Sequence, residues 1–157
     1  MNPVEPCPSI LVLCEGNLCR SPIAAGLLQS ALGPGFRVAS AGLAAREGCP
    51  PDPEAVRLMA ARGLDISGHS GRPVTPAMAL AADLILVMDR RQQDWCTDLA
   101  PAARGRVFLL GHWQRPGPEP IEDPHQRGPE AFRTAFEAIS RCVADWATRI
   151  PTVERSA

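Results

Sequence analysis

A cysteine, five intervening residues and an arginine stand together near the start of the chain: Cys14-Glu15-Gly16-Asn17-Leu18-Cys19-Arg20, followed at once by Ser21-Pro22. Together these residue types can handle a phosphate-like dianion. A guanidinium fork grips two anionic oxygens, and a thiolate beside it attacks the atom they belong to. Backbone N–H groups of a short Gly-containing loop can cradle the remaining oxygens. The positive field of such a cradle favours Cys14 as a nucleophilic thiolate; without it, Cys14 is an inert thiol at a strand end.

The surrounding elements are the ones such a loop needs. Ile10-Leu11-Val12-Leu13 reads as a buried strand that ends abruptly. Ile23, Ala24, Leu27, Leu28, Ala31 and Leu32 recur at helical spacing, with Ser21 expected at the cap and Pro22 in the first turn. Cys14 to Arg20 is therefore a loop from a strand's carboxyl end to a helix's amino end. Further strands are expected over Phe36–Ser40, Leu84–Met88 and Val107–Leu110. Helices are expected over Ala55–Arg62 (opened by Asp52-Pro53-Glu54 and stopped at Gly63), Pro76–Ala82 and Arg90–Leu99, and from Pro129 onward. In that last helix Phe132, Phe136, Ile139, Val143, Trp146 and Ile150 form one apolar face. Four prolines keep Gln114–Pro124 irregular. The alternation predicts an α/β fold: a four-stranded parallel sheet flanked by helices in a three-layer sandwich. One domain is expected over 1–157, with a core over about 9–150 and short flexible termini. Ligands of such sheets bind beyond the carboxyl ends of the strands.

Leu13-Cys14-Glu15-Gly16-Asn17-Leu18-Cys19-Arg20-Ser21-Pro22 resembles the amino-terminal signature of the low-molecular-weight protein tyrosine phosphatases. The resemblance implies Cys14 as nucleophile, Arg20 as clamp, and Glu15, Gly16, Asn17, Leu18, Cys19 and Ser21 as the rest of the phosphate loop. Asp123-Pro124 resembles the family's acid loop, which implies Asp123 as the proton donor to the leaving phenol and then as the base for water. Taken alone, Asp123 is also an ordinary turn residue; Glu122 beside it is the weaker candidate. Ser40-Ala41-Gly42 and His69-Ser70-Gly71-Arg72 match segments that in the family join Asn17 and Ser21 in a supporting network. His69 reads equally as a loop histidine satisfied on its own. Cys19 is expected to form a reversible disulfide with Cys14; the alternative is a small packed residue. His125 stands where the family usually places an aromatic cleft wall. Arg46 stands about where many relatives place a Trp, and also reads as solvated surface. Trp95 and Trp146 are expected to pack on helices, and Trp113 to be core or to line the cleft.

Three further stretches resemble the bacterial branch associated with capsule and exopolysaccharide export: Arg106 to Trp113, Ile121 to Pro124, and Asp83 to Asp89. This implies phosphotyrosines of a membrane tyrosine autokinase as substrate. Two rivals differ in class. A thiol-dependent arsenate reductase shares the fold and loop, but needs two further cysteines close together downstream, where this chain has Cys96 alone. A non-catalytic phosphoryl-binding module needs no leaving-group acid, so Asp123 argues against it.

Composition narrows the field. A net charge of −1 and a pI near 6.3 give no footprint for nucleic acid or an anionic membrane. All 16 basic residues are Arg, which excludes a Schiff-base Lys and a nucleotide-binding Gly-Lys-Ser/Thr loop. The six cysteines (Cys7, Cys14, Cys19, Cys49, Cys96, Cys142) make no zinc array with His69, His112 or His125, so free thiols and no metal or organic cofactor are expected. No leader or membrane insertion is read from the sequence. The expected protein is cytoplasmic, and a monomer or weak dimer.

Overall fold

A computed structural model describes residues 7–151 of the chain. The expected termini lie largely outside these residues. Four strands, β1 (Ser9–Cys14), β2 (Arg37–Gly42), β3 (Leu84–Val87) and β4 (Val107–Leu109), form one parallel sheet in the order β2-β1-β3-β4. The chain moves outward from β1 to β2, then returns to β1's other side for β3. Strand order thus reverses beside β1, the place where open α/β sheets bind ligands.

Both faces of the sheet are covered, so its central strands are apolar throughout. Ile10 and Val12 pack with Leu86 toward α1 (Arg20–Leu32), α2 (Pro53–Ala60) and α5 (Pro129–Arg149). Leu11 and Leu13 pack with Ile85 and Val87 toward α3 (Pro76–Ala81) and α4 (Arg90–Leu99). The period of two in β1 puts Cys14 on the α1 and α5 side. Asp52, Thr75 and Asp89 cap α2, α3 and α4 with their side chains. A 3-10 turn (Pro101–Arg106) leads into β4.

Three sequence expectations need correction. Helix α1 begins one residue before Ser21, with Cys19 at the cap position and no side-chain cap. Ser21 lies in the first turn because its hydroxyl is used elsewhere, as described below. Trp95 does not pack away: α4 buries Gln92 and Cys96 and leaves Trp95 40% exposed. β2 runs on to Gly42, because Ala41 and Gly42 pair with Leu13 and Cys14. Trp146 is buried as expected and donates to the Leu110 carbonyl at 2.8 Å. Trp113 belongs to the aromatic cluster of His112 and Trp146, with the Arg149 guanidinium 4.4 Å above its ring.

Candidate active site

The loop from Cys14 to Arg20 is turned inside out relative to ordinary coil. Its carbonyls point outward: Cys14 and Glu15 accept from Leu43 and Ala44 N–H at 2.9 Å each, and Leu18 accepts from Asp52 N–H at 2.9 Å. The Asn17 carbonyl takes His69 Nε2 at 2.8 Å; a carbonyl can only accept, which places the imidazole proton on Nε2. Among the described residues nothing accepts from the N–H groups of Gly16, Asn17 and Leu18. With the carbonyls tied down outside, these donors are left for an anion within the loop. β2 must end in glycine for this. A Cβ on Gly42 would sit 2.8 Å from the Glu15 carbonyl oxygen and 3.0 Å from the Asn17 Cβ.

Asn17 is the pivot. It is fully buried with φ +56°, a left-handed conformation that Asn tolerates better than most residues. Its Nδ2 donates to Ser21 Oγ at 2.8 Å and to Ser40 Oγ at 3.0 Å, and its Oδ1 accepts from the Arg72 N–H at 3.1 Å. Ser21 Oγ therefore receives a hydrogen and has its own to give. The atom it faces is Cys14 Sγ, 3.0 Å away. Asn17, Ser21, Ser40 and His69 come together as the sequence suggested, and the backbone N–H of Arg72 joins them.

The second half of the site arrives from 101 residues further along. Arg20 is 4% exposed and donates from Nη1 to the Ile121 carbonyl at 2.7 Å. Its Nη2 lies 3.5 Å from Asp123 Oδ2, and its buried Nε has no protein partner. Ile121 N–H in turn binds the Met88 carbonyl just past β3, at 2.9 Å. Asp123 Oδ1 accepts from the His125 N–H at 3.1 Å, and Cys19 Sγ is 3.8 Å away. A cavity of about 170 Å³ is bordered by Cys14, Glu15, Gly16, Leu18, Cys19, Arg20, Asp123 and His125.

Other residues fall outside this space. Arg46 is exposed on the loop after β2 and does not line the cavity. Glu122 also lies outside it, 3.6 Å from Arg127. Cys96 is fully buried on the α4 face of the sheet, opposite the face that carries Cys14, so it is no relay thiol for a reductase. Burial, helped by the charges of Cys14 and Asp123, pushes the Cys19 thiol up to about 12. Sequence reading missed Arg91, whose guanidinium binds Glu15 at 2.8 Å, and took Asp52 only as a helix start. Among the described residues no cluster of His, Cys, Asp and Glu suits a metal ion.

Comparison with known proteins shows the family. The family described as low molecular weight phosphotyrosine protein phosphatase matches residues 9–155. A probable low molecular weight protein-tyrosine-phosphatase, EpsP of Ralstonia nicotianae, is 45% identical over 142 residues, covering 90% of this chain and 95% of its own. The solved structure of Vibrio vulnificus Wzb in complex with benzylphosphonate is 36% identical, with a TM-score of 0.86, covering 92% of this chain and 100% of that one. Escherichia coli K30 tyrosine phosphatase Wzb in complex with sulphate is 37% identical, with a TM-score of 0.85 over 91% and 98% of the two chains. Matched over nearly its whole length in sequence and in fold, the chain belongs to the low molecular weight phosphotyrosine protein phosphatase family and is a protein tyrosine phosphatase.

Proposed function

We propose that the protein hydrolyses protein phosphotyrosine through a phosphocysteine at Cys14. One observation carries this reading: Cys14, Arg20 and Asp123 border a single cavity. The loop N–H groups and the unpartnered Nε of Arg20 hold the phosphoryl oxygens. The Cys14 thiolate attacks phosphorus, and the P–O bond to the ring breaks as the P–S bond forms. Asp123, protonated, gives its proton to the departing phenol oxygen. Its carboxylate then takes a proton from water, whose oxygen attacks phosphorus and expels the thiolate. Ser21 receives that thiolate as a hydrogen-bond donor. No step needs a metal or an organic cofactor.

The resemblance to the capsule and exopolysaccharide branch supports a tyrosine autokinase as substrate, met at its cytoplasmic side. Among the described residues no helix is long and apolar enough to cross a membrane. The test is hydrolysis of p-nitrophenyl phosphate in EDTA by wild type, Cys14→Ser and Asp123→Ala, followed by phosphotyrosine and phosphoserine peptides. Activity abolished in the first variant and lowered mainly in kcat in the second supports the phosphocysteine route. Failure of reduced wild type to turn over any aryl phosphate would sink it.

A further inference from the structure

A second line of contacts joins the phosphate loop to the acid loop. The Leu18 carbonyl accepts from Asp52 N–H at 2.9 Å, and Asp52 Oδ1 caps α2 by accepting from Glu54 N–H at 2.9 Å. This leaves Asp52 Oδ2, which lies 3.8 Å from Nδ1 of His125. The backbone N–H of His125 donates to Asp123 Oδ1 at 3.1 Å. The line therefore runs from Leu18 through Asp52 and His125 to the carboxylate of Asp123.

We propose that His125 is a charge-operated positioning residue: its imidazolium, paired with Asp52, holds the acid loop over the cavity so that Asp123 meets the leaving oxygen. The role rests on the phosphatase reading above. A hydrocarbon ring at this place could only pack, whereas an imidazole changes charge between about pH 5 and 8. Of the charged groups that border the cavity with His125, Glu15 is bound by Arg91 at 2.8 Å, and Asp123 and Arg20 face each other at 3.5 Å. Among the described residues Asp52 is the one carboxylate paired with the ring. The imidazolium form exists at the acid end, so the latch is fastened at low pH and released as pH rises through the histidine titration. The two side chains are 43% and 20% exposed, so solvent screens the pair, and the expected effect is about two- to fivefold.

The test compares kcat/KM in wild type, His125→Asn, Asp52→Asn and the double variant, with two esters. Asparagine keeps the α2 cap and removes only the charge. Phenyl phosphate needs a proton at its leaving oxygen; 2,4-dinitrophenyl phosphate does not. With phenyl phosphate at pH 5.5, each single variant is expected to lose about two- to fivefold, the double variant no more than either, and the ratio of Asp52→Asn to wild type to return to about one by pH 8. In Asp52→Asn the dinitrophenyl ester should show no such loss. Independently of turnover, the NMR signals of the His125 ring at pH 5.5 should move in Asp52→Asn, because the ring loses its carboxylate neighbour. Losses equal at both pH values, losses that add in the double variant, or unmoved ring signals would overturn the role. An inactive wild type whose ring signals still moved would remove the phosphatase reading and the positioning role with it, leaving only the ion pair.

Discussion

Arg20 and Asp123 are held together before any phosphate arrives: Nη2 of the guanidinium lies 3.5 Å from the carboxylate, while Nη1 of the same group donates to the Ile121 carbonyl two residues upstream. One side chain thus serves as anion clamp and as anchor of the acid loop. Lysine offers one ammonium on a flexible stem and cannot do both. Arg20→Lys is therefore expected to lower kcat/KM for p-nitrophenyl phosphate by about 10²–10³. It should also abolish the effect of a second change, Asp123→Ala, because the acid is no longer placed. Steady-state kinetics of the two single variants and the double variant check this. Independent, multiplicative losses would show that Arg20 does not position the loop.

Asn17 separates backbone conformation from hydrogen bonding. Asn17→Gly keeps access to the left-handed region but leaves Ser40 Oγ, Ser21 Oγ and the Arg72 N–H without their partner. We expect a loss of about 2–4 kcal/mol in urea denaturation. Asn17→Ala suffers the same losses plus the steric cost of a left-handed alanine, and should unfold about 1 kcal/mol more easily still.

The strand, loop and helix around Cys14 were legible because local pattern determines them: an apolar run, a Gly-containing turn and a helical repeat. Asp123 was legible only through resemblance, since nothing local marks its tether to Arg20. Ser21 was read both as a cap and, through the resemblance, as a member of the network with Asn17; the cap reading fails because its partners, Asn17 and Cys14, are invisible to a rule about helix ends. Trp95 was expected to pack on a helix, yet α4 buries Gln92 and Cys96 and leaves it 40% exposed. Glu15 with Arg91 and Asp52 with His125 are long-range surface pairs that no spacing announces.

Cys19 gives an alkaline signature. Its thiol is raised from 9.0 to about 12, so the folded chain prefers it protonated more strongly than the unfolded chain does. Its contribution is fully present below about pH 9 and is lost as pH rises toward 12. The urea midpoint should fall over that window, and fall less in Cys19→Ala. Iodoacetamide at pH 8 should label Cys14 and spare Cys19, as read by peptide mass spectrometry.

Peroxide tests the same pair in another way. Oxidation of the Cys14 thiolate to a sulfenic acid, with peroxide reduced to hydroxide, would present an electrophilic sulfur to Cys19. Attack by Cys19 sulfur forms the S–S bond and breaks the S–O bond; the thiol proton, relayed by Asp123 3.8 Å away, passes to the departing hydroxyl, which leaves as water. Dithiothreitol is expected to restore peroxide-treated wild type but not Cys19→Ala. Equal recovery of the two would remove this role.

Gly111 sets where the acid loop returns. It bridges Glu119 in antiparallel fashion, and a Cβ there would collide with the Glu119 carbonyl. Gly111→Ala should shift the 119–123 backbone and lower kcat/KM about tenfold. Labelling of Cys14 by iodoacetamide should be unchanged, because the phosphate loop is held from the other side by Asn17.

The packing of α5 has a consequence for synthesis. This helix buries Phe132, Phe136, Ile139, Val143 and Trp146 on the face that also carries α1. On the ribosome, Arg20 is made 101 residues before the carbonyl it will hold, and α5 emerges after both. Until it does, α1 and its side of the sheet lie bare. A chain stopped before α5 therefore makes the loop's own network of Asn17, Ser40 and His69 but leaves the apolar side chains of α1 and of Ile10, Val12 and Leu86 without the cover of this helix.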